Sequence, residues 1–155
     1  MQTFLAYSDY KLSAKVLDRQ RLGKQRVETL QIMGSLIEGT GYVNHPATLM
    51  WGAYQCSLMS YQFAICREWT SRGYQDTCLE KTIDIHAAFK HCSCGSDYVP
   101  TPWWLTNHDF HLSHQSNLLR KDRSHYGQYF AGIPNDLPYL WPSGVAHTFK
   151  IGELP

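Results

Sequence analysis

The densest group of residues able to do chemistry lies in LDRQRLGKQRVETLQ, residues 17–31. At helical spacing Gln20, Lys24, Glu28 and Gln31 fall together, with Arg21 beside them. A carboxylate set among cations and amides at the edge of a core can act as a general base or stabilise a developing cation. The same Lys24–Glu28 spacing also describes a surface i,i+4 ion pair worth about 0.2–0.5 kcal/mol. Around it, Lys15, Arg19, Arg21, Lys24 and Arg26 are opposed only by Asp18, and a second basic patch holds Arg120, Lys121 and Arg123 close to His125. The formal net charge is only +1, so bulk attraction to a polyanion is weak and any phosphate binding must come from such local patches. Solvated helix faces are the plainer alternative.

Two clusters have the residue types of metal sites. His108, His111 and His114 recur at helical spacing, and His86 precedes His91, Cys92 and Cys94. Neither supplies a recognised ligand set: no carboxylate stands at metalloprotease spacing and no second cysteine pair closes a four-ligand zinc site. No bound metal or cofactor is expected. Ser113, Gln115 and Asn117 on the same segment suit phosphate or base contacts equally well. Downstream, Tyr126, Tyr129, Phe130, Tyr139 and Trp141 follow the second basic patch, a combination that supports base stacking with phosphate neutralisation or, alternatively, packing of a tail onto helices. The chain has no GxGxxG, P-loop, GxSxG or HExxH, which leaves dinucleotide, phosphoryl-transfer and serine-hydrolase chemistry without support.

These residues need elements to hold them. The spacing predicts a helix from Asp9 to Glu38, with a possible break near Ser13, whose stripe is Val16, Gly23, Val27, Leu30, Gly34 and Ile37. The two glycines on that stripe cost helix propensity and imply close approach of a neighbour. Gly39-Thr40-Gly41 ends it. Ala47, Met50, Trp51, Tyr54, Leu58, Tyr61, Ile65 and Trp69 predict one long central helix, capped by Asn44, opened by Pro46 and ending at Ser71-Arg72-Gly73. A short helix is expected over Lys81–Lys90, and a third principal helix from Thr106 to Leu119 or Arg120. The rest reads as a loop-rich, aromatic tail without strands. The expected fold is therefore mainly α: a compact single domain, residues 1–155, of three principal helices. No apolar run reaches the roughly 18 residues of a membrane span. The start lacks a secretory signal, and five scattered cysteines argue for free thiols in a reducing cytoplasm.

Several segments, taken in order, resemble the pyrimidine-dimer DNA glycosylase family, the phage endonuclease V type and its bacterial relatives. MQTFLAYSDYKLSAKVLDRQRLGKQRVETLQ resembles the family's strand-like opening and first helix, which carries an essential glutamate. NHPATLMWGAY and the helix ending CREWTSRGY resemble its central helix, and SHQSNLLRKDRSHYGQYF is similar to its last helix and aromatic, DNA-contacting tail. The resemblance implies a metal-free enzyme whose α-amine attacks the deoxyribose C1′, expels the base as a Schiff base forms, and nicks the strand by β-elimination. The choice of nucleophile has a physical basis. An α-amine titrates near 7.7–8.0, so about a tenth is neutral at pH 7, against well under a thousandth of a lysine.

Carried onto this chain, the catalytic residues are Met1, expected to remain because Gln2 is bulky, and Glu28, with Asp18 as fallback. Arg19, Arg21, Lys24 and Arg26 would hold phosphates, and Asn44 and His45 would line the pocket. His114, Gln115, Asn117, Arg120 and Lys121 would grip a kinked or base-flipped duplex. The family's early arginine has no counterpart at Gln2 or Thr3. The expected partner is double-stranded DNA containing a damaged or modified pyrimidine, bound by a monomer without any membrane. Two other classes compete: a non-catalytic nucleic-acid-binding module, for which blocking the amine changes nothing, and a metal-dependent hydrolase using the histidines or Cys92 and Cys94, which chelators would inhibit.

Overall fold

The structure, a computed structural model, describes residues 1–89, 99–143 and 148–151. It is mainly helical. The helices are α1 (Tyr10–Val16), α2 (Arg19–Glu38), α3 (Pro46–Leu49), α4 (Gln55–Ser71), α5 (Cys78–Ala87), α6 (His108–Lys121) and α7 (Arg123–Tyr126), with a 3-10 turn at Trp103–Thr106. The three principal helices of the sequence reading correspond to α2, α4 and α6. The tail is not free of strands, however. Leu140–Pro142 (β1) and Phe149–Ile151 (β2) form a short antiparallel ribbon, Trp141 opposite Lys150.

Where the expected helices break, the caps explain it. The first ends at Leu17 and restarts behind Asp18, whose side chain accepts from the Gln20 and Arg21 N–H groups. Asp18 is thus an N-cap, and Tyr126 (2.5 Å) and Arg21 (3.2 Å) engage its other oxygen. That arrangement holds its carboxyl below the usual range despite burial and leaves it no catalytic freedom. The long central helix is interrupted at residues 50–54 by turns between Pro46 and Tyr54, so α3 and α4 are separate. His45, not Asn44, caps α3: its Nδ1 accepts the Ala47 N–H at 3.1 Å. The apolar stripe of α2 also sits elsewhere. Val27 is 42% exposed, and the buried face is Leu22, Gln25, Thr29, Ile32, Met33 and Ser35. Gly23 behaves as expected, since a Cβ there would lie 3.2 Å from the Trp69 ring.

The core is aromatic, with Trp51 and Trp104 edge to face at 4.8 Å and Tyr61, Phe110 and Tyr126 fully buried. Through it runs the extended opening segment, Gln2 to Ala6, buried at every residue. This segment joins no sheet, so side chains must satisfy its peptide groups. Gln2 N–H meets Glu28, and Gln2 C=O accepts from Gln25 Nε2. Phe4 N–H donates to Gln25 Oε1, and Tyr61 OH reaches Phe4 C=O. Leu5 N–H donates to His114 Nδ1 at 3.2 Å, and Leu5 C=O lies 2.8 Å from His111 Nδ1. Gln115 Nε2 donates to Ala6 C=O at 2.7 Å. Trp51 adds a bond to the Thr3 hydroxyl.

His114 makes this segment acid-sensitive. Its Nδ1 must stay unprotonated to accept from Leu5, and burial, with His111 nearby, pulls its pKa from 6.5 down to about 3. The unfolded chain therefore binds the proton first. The stabilisation is complete above pH 6.5 and drains as pH falls toward 3, at about 1.4 kcal/mol per pH unit. Urea unfolding at pH 7 and 4.5 is expected to show a loss near 3 kcal/mol from this group. His45 and His86 shift in the same direction, so the assignment rests on His114→Asn. That variant should be less stable at pH 7 but visibly flatter between pH 6.5 and 4.5, and an unchanged acid slope would reject it.

Candidate active site

The opening segment ends its path beside α2. A cavity of about 290 Å³ is lined there by Met1, Gln2, Phe4, Gln20, Arg21, Lys24, Gln25, Glu28, Lys121, Tyr139 and Trp141. Four structural pieces meet in it: the first residues, the polar flank of α2, the end of α6 and the ribbon strand β1. Glu28 Oε2 accepts from Gln2 N–H at 3.3 Å and from Gln25 Nε2 at 3.0 Å, which fixes the carboxylate one residue from the Met1 amine. Three cationic side chains, Arg21, Lys24 and Lys121, line the cavity with this carboxylate. Lys121 is pushed down from the usual lysine range by partial burial and by Arg21, Arg120 and Lys24, with Glu28 opposing. Arg21 is partly committed, to Asp18 and to the Lys121 carbonyl. Neither Lys24 nor Lys121 makes an ion pair among the described residues. Two lysines with unspent charge at the rim of an anionic centre can receive phosphates without neutralising the base.

Tyr139 and Trp141 form the aromatic wall, their ring centroids 5.5 Å apart, and His45 stands edge-on to Trp141 at 6.0 Å. Tyr139 is 9% exposed, and burial raises its phenol well above the ordinary value, so the hydroxyl keeps its proton. A shallower groove of about 800 Å³ continues along α2 past Arg19, Gln20, Lys24, Glu28 and Gln31 to Trp69. Arg19 lies over the Tyr74 ring at 5.2 Å, exposed along this groove.

The other sequence candidates are placed differently. Arg26 points to the opposite flank of α2, bound to Asp76 at 2.5 Å and stacked on Trp69. Asn44 is exposed before α3. His114 and Asn117 are each 1% exposed, so no strand reaches them as the protein stands. Asn117 is engaged by Arg120 and bonds the Ser113 and Leu137 carbonyls, while Gln115 holds Ala6. Arg120 also donates to the Asn135 carbonyl. The polar face of α6 thus anchors the opening segment and the tail. The histidines there that have the residue type of a metal site are spent likewise, since His111 is bracketed by the Leu5 and Leu105 carbonyls. Among the described residues no three His, Cys, Asp or Glu side chains converge as a ligand set. His91, Cys92 and Cys94 lie outside the described residues. Cys66 and Cys78 carry free thiols, but Cys56 is disulfide-bonded, which corrects the expectation of five free cysteines. In the tail, Tyr126 and Phe130 stack in parallel inside the core, and of the described tail aromatics only Tyr129 is prominently exposed.

Sequence reasoning missed Gln25. Its Oε1 takes Phe4 N–H at 2.9 Å and Tyr61 OH at 2.7 Å, and its Nε2 gives to Gln2 C=O and Glu28. One fully buried amide therefore couples the first residues to the carboxylate. The available signal was its position three residues before Glu28, on the face that Leu22 and Thr29 also occupy.

A mainly helical frame that brings the first residue, a held carboxylate and two lysines into one cavity defines a class: a helical protein whose N-terminal residue and a carboxylate share one site. No helix among the described residues is long and apolar enough to cross a membrane. The model of the pyrimidine dimer DNA glycosylase family matches residues 1–82, and the chain belongs to that family. The matched part runs from Met1 through α4 into α5 and includes Lys24, Gln25, Glu28 and His45. Membership makes the chain a DNA glycosylase, with DNA as its substrate. No curated protein and no solved structure matches the chain.

Proposed function

We propose that the chain excises damaged or modified pyrimidines through a Schiff base on the Met1 amine and then cleaves the abasic strand. The observation that carries this reading is the shared cavity of Met1 and Glu28, with Glu28 bonded to the Gln2 N–H. The neutral amine attacks C1′, a C–N bond forms there and the glycosidic bond breaks. The pyrimidine leaves with the electron pair and is protonated. Glu28 first stabilises the cationic sugar, then accepts the proton that the attacking nitrogen loses. Ring opening converts the C1′–N bond to an imine as O4′ takes up a proton. Removal of a C2′ proton then expels the 3′ phosphate. Lys24, Lys121 and Arg21 hold the flanking phosphates, and the groove past Arg19 receives the strand. Asn44, exposed just before α3, would reach the DNA from there. His114, Gln115, Asn117 and Arg120 contribute by fixing the opening segment and the tail. Double-stranded DNA carrying a pyrimidine lesion is the partner, and one copy of the residue 1–155 domain carries the whole site.

Borohydride trapping tests the reading. The full chain is incubated with UV-irradiated and abasic-site duplex, reduced, and the crosslink mapped by mass spectrometry. The expected result is one adduct at the Met1 amine, absent after selective N-terminal acetylation. An adduct on a lysine, or none on either DNA while binding persists, would sink the amine mechanism.

A further inference from the structure

His45 stands against Trp141, at the edge of the cavity, with its tautomer already decided. Its Nδ1 accepts the Ala47 N–H at 3.1 Å as the cap of α3, so the single proton of the neutral ring resides on Nε2. The ring stands edge-on, at 89°, to Trp141, which lines the cavity shared with Met1. The terminal ammonium and Glu28 both act on its titration, and partial burial with that ammonium disfavours the imidazolium. No described residue accepts a hydrogen bond from Nε2. A neutral donor with a fixed proton, next to an amine and a carboxylate, suits an oxygen that gains negative charge.

Resting on the amine-nucleophile reading above, we propose that His45 is a further catalytic residue, donating its Nε2–H as a hydrogen bond to the deoxyribose O4′ as the ring opens. In that step the nitrogen lone pair on C1′ becomes the C=N bond, the C1′–O4′ bond breaks, and O4′ leaves with the electron pair. The proton that O4′ finally carries is the one Glu28 removed from the attacking nitrogen. His45 transfers none, because losing Nε2–H would leave an imidazolate. Its contribution is to stabilise the charge on O4′ before that proton arrives. The requirement for an Nδ1 lone pair at the cap and a proton on Nε2 accounts for a histidine at this position, where serine, aspartate or asparagine would cap equally well.

The test exploits that separation. His45→Asn keeps a side-chain acceptor for the Ala47 N–H and deletes the donor. Single-turnover borohydride trapping is followed on abasic duplex, where base expulsion is already complete, alongside the thermal midpoint and affinity for a tetrahydrofuran-site duplex. The expected result is trapping slowed by about 10²–10³-fold, as for loss of one charge-stabilising donor, with midpoint and affinity little changed. Trapping within twofold of the parent rate would overturn the role of His45 while leaving the amine mechanism intact. A slowing matched by equal loss of affinity would also overturn it, by showing that the ring only binds DNA. Absence of any adduct with the parent protein would overturn the amine mechanism itself, and this inference with it.

Discussion

Replacing Glu28 with glutamine is expected to lower single-turnover base release by roughly 10³-fold while the fold survives. The substitution is nearly isosteric. A glutamine Oε1 can still accept from the Gln2 N–H and from Gln25 Nε2, the two bonds that hold the parent carboxylate at 3.3 and 3.0 Å. The losses are the negative charge that stabilises a sugar cation and the site that takes a proton from the attacking nitrogen. Affinity for DNA should hold or rise, because Arg21, Lys24 and Lys121 would share the cavity with one negative charge fewer. Base release, the thermal midpoint and the affinity for an abasic-analogue duplex check this together. A variant that retains base release within tenfold would remove Glu28 from the chemistry.

The second large effect concerns Gln25→Leu, which should cost about 3 kcal/mol of stability and most of the activity. The leucine fills nearly the same volume, so little cavity term arises. It leaves the Phe4 N–H and the Gln2 C=O without their partners inside the core, and each buried unsatisfied group costs about 1–3 kcal/mol. Tyr61 keeps an alternative acceptor in the Phe4 carbonyl at 3.0 Å, which limits the damage. Activity should fall further than stability at pH 7 explains, because Glu28 loses the Nε2 bond that orients it and the segment behind the Met1 amine loosens. Urea unfolding measures the first effect. Borohydride trapping at a temperature where the variant is fully folded measures the second. A loss below about 1 kcal/mol would mean that the other side chains hold the opening segment without this amide.

How legible the site was depended on the kind of signal each residue carries. Glu28 stood out because it is a carboxylate in a basic, amide-rich stretch, and Lys24 and Arg21 came with it through helical spacing. Arg26 has the same type and nearly the same position, yet it turns to the far flank and meets Asp76, a residue fifty positions away. His114 and Asn117 carried the same polar signal as a surface contact. Their burial follows from a long-range need, the unpaired peptide groups of Leu5 and the tail, that no local pattern displays. Gln25 was hidden for the opposite reason. A polar residue on a buried face breaks the apolar stripe, and its partners lie at Gln2, Phe4 and Tyr61.

The residue order by itself determined the mainly helical class, the extents of α4 and α6 to within a few turns of chain, the close approach at Gly23 and the basic flank of α2. All of these rest on interactions within a few residues, which spacing encodes. Only the tertiary structure decided that α3 and α4 are separate, that Tyr126 and Phe130 go inward, and that Leu140–Pro142 and Phe149–Ile151 pair as a ribbon. It also decided that the opening segment runs through the core held by side chains from α2, α4 and α6. Those outcomes depend on hydrogen bonds and packing between residues up to 109 positions apart, and which partner satisfies a buried peptide group is settled by three-dimensional competition among all the side chains that can reach it.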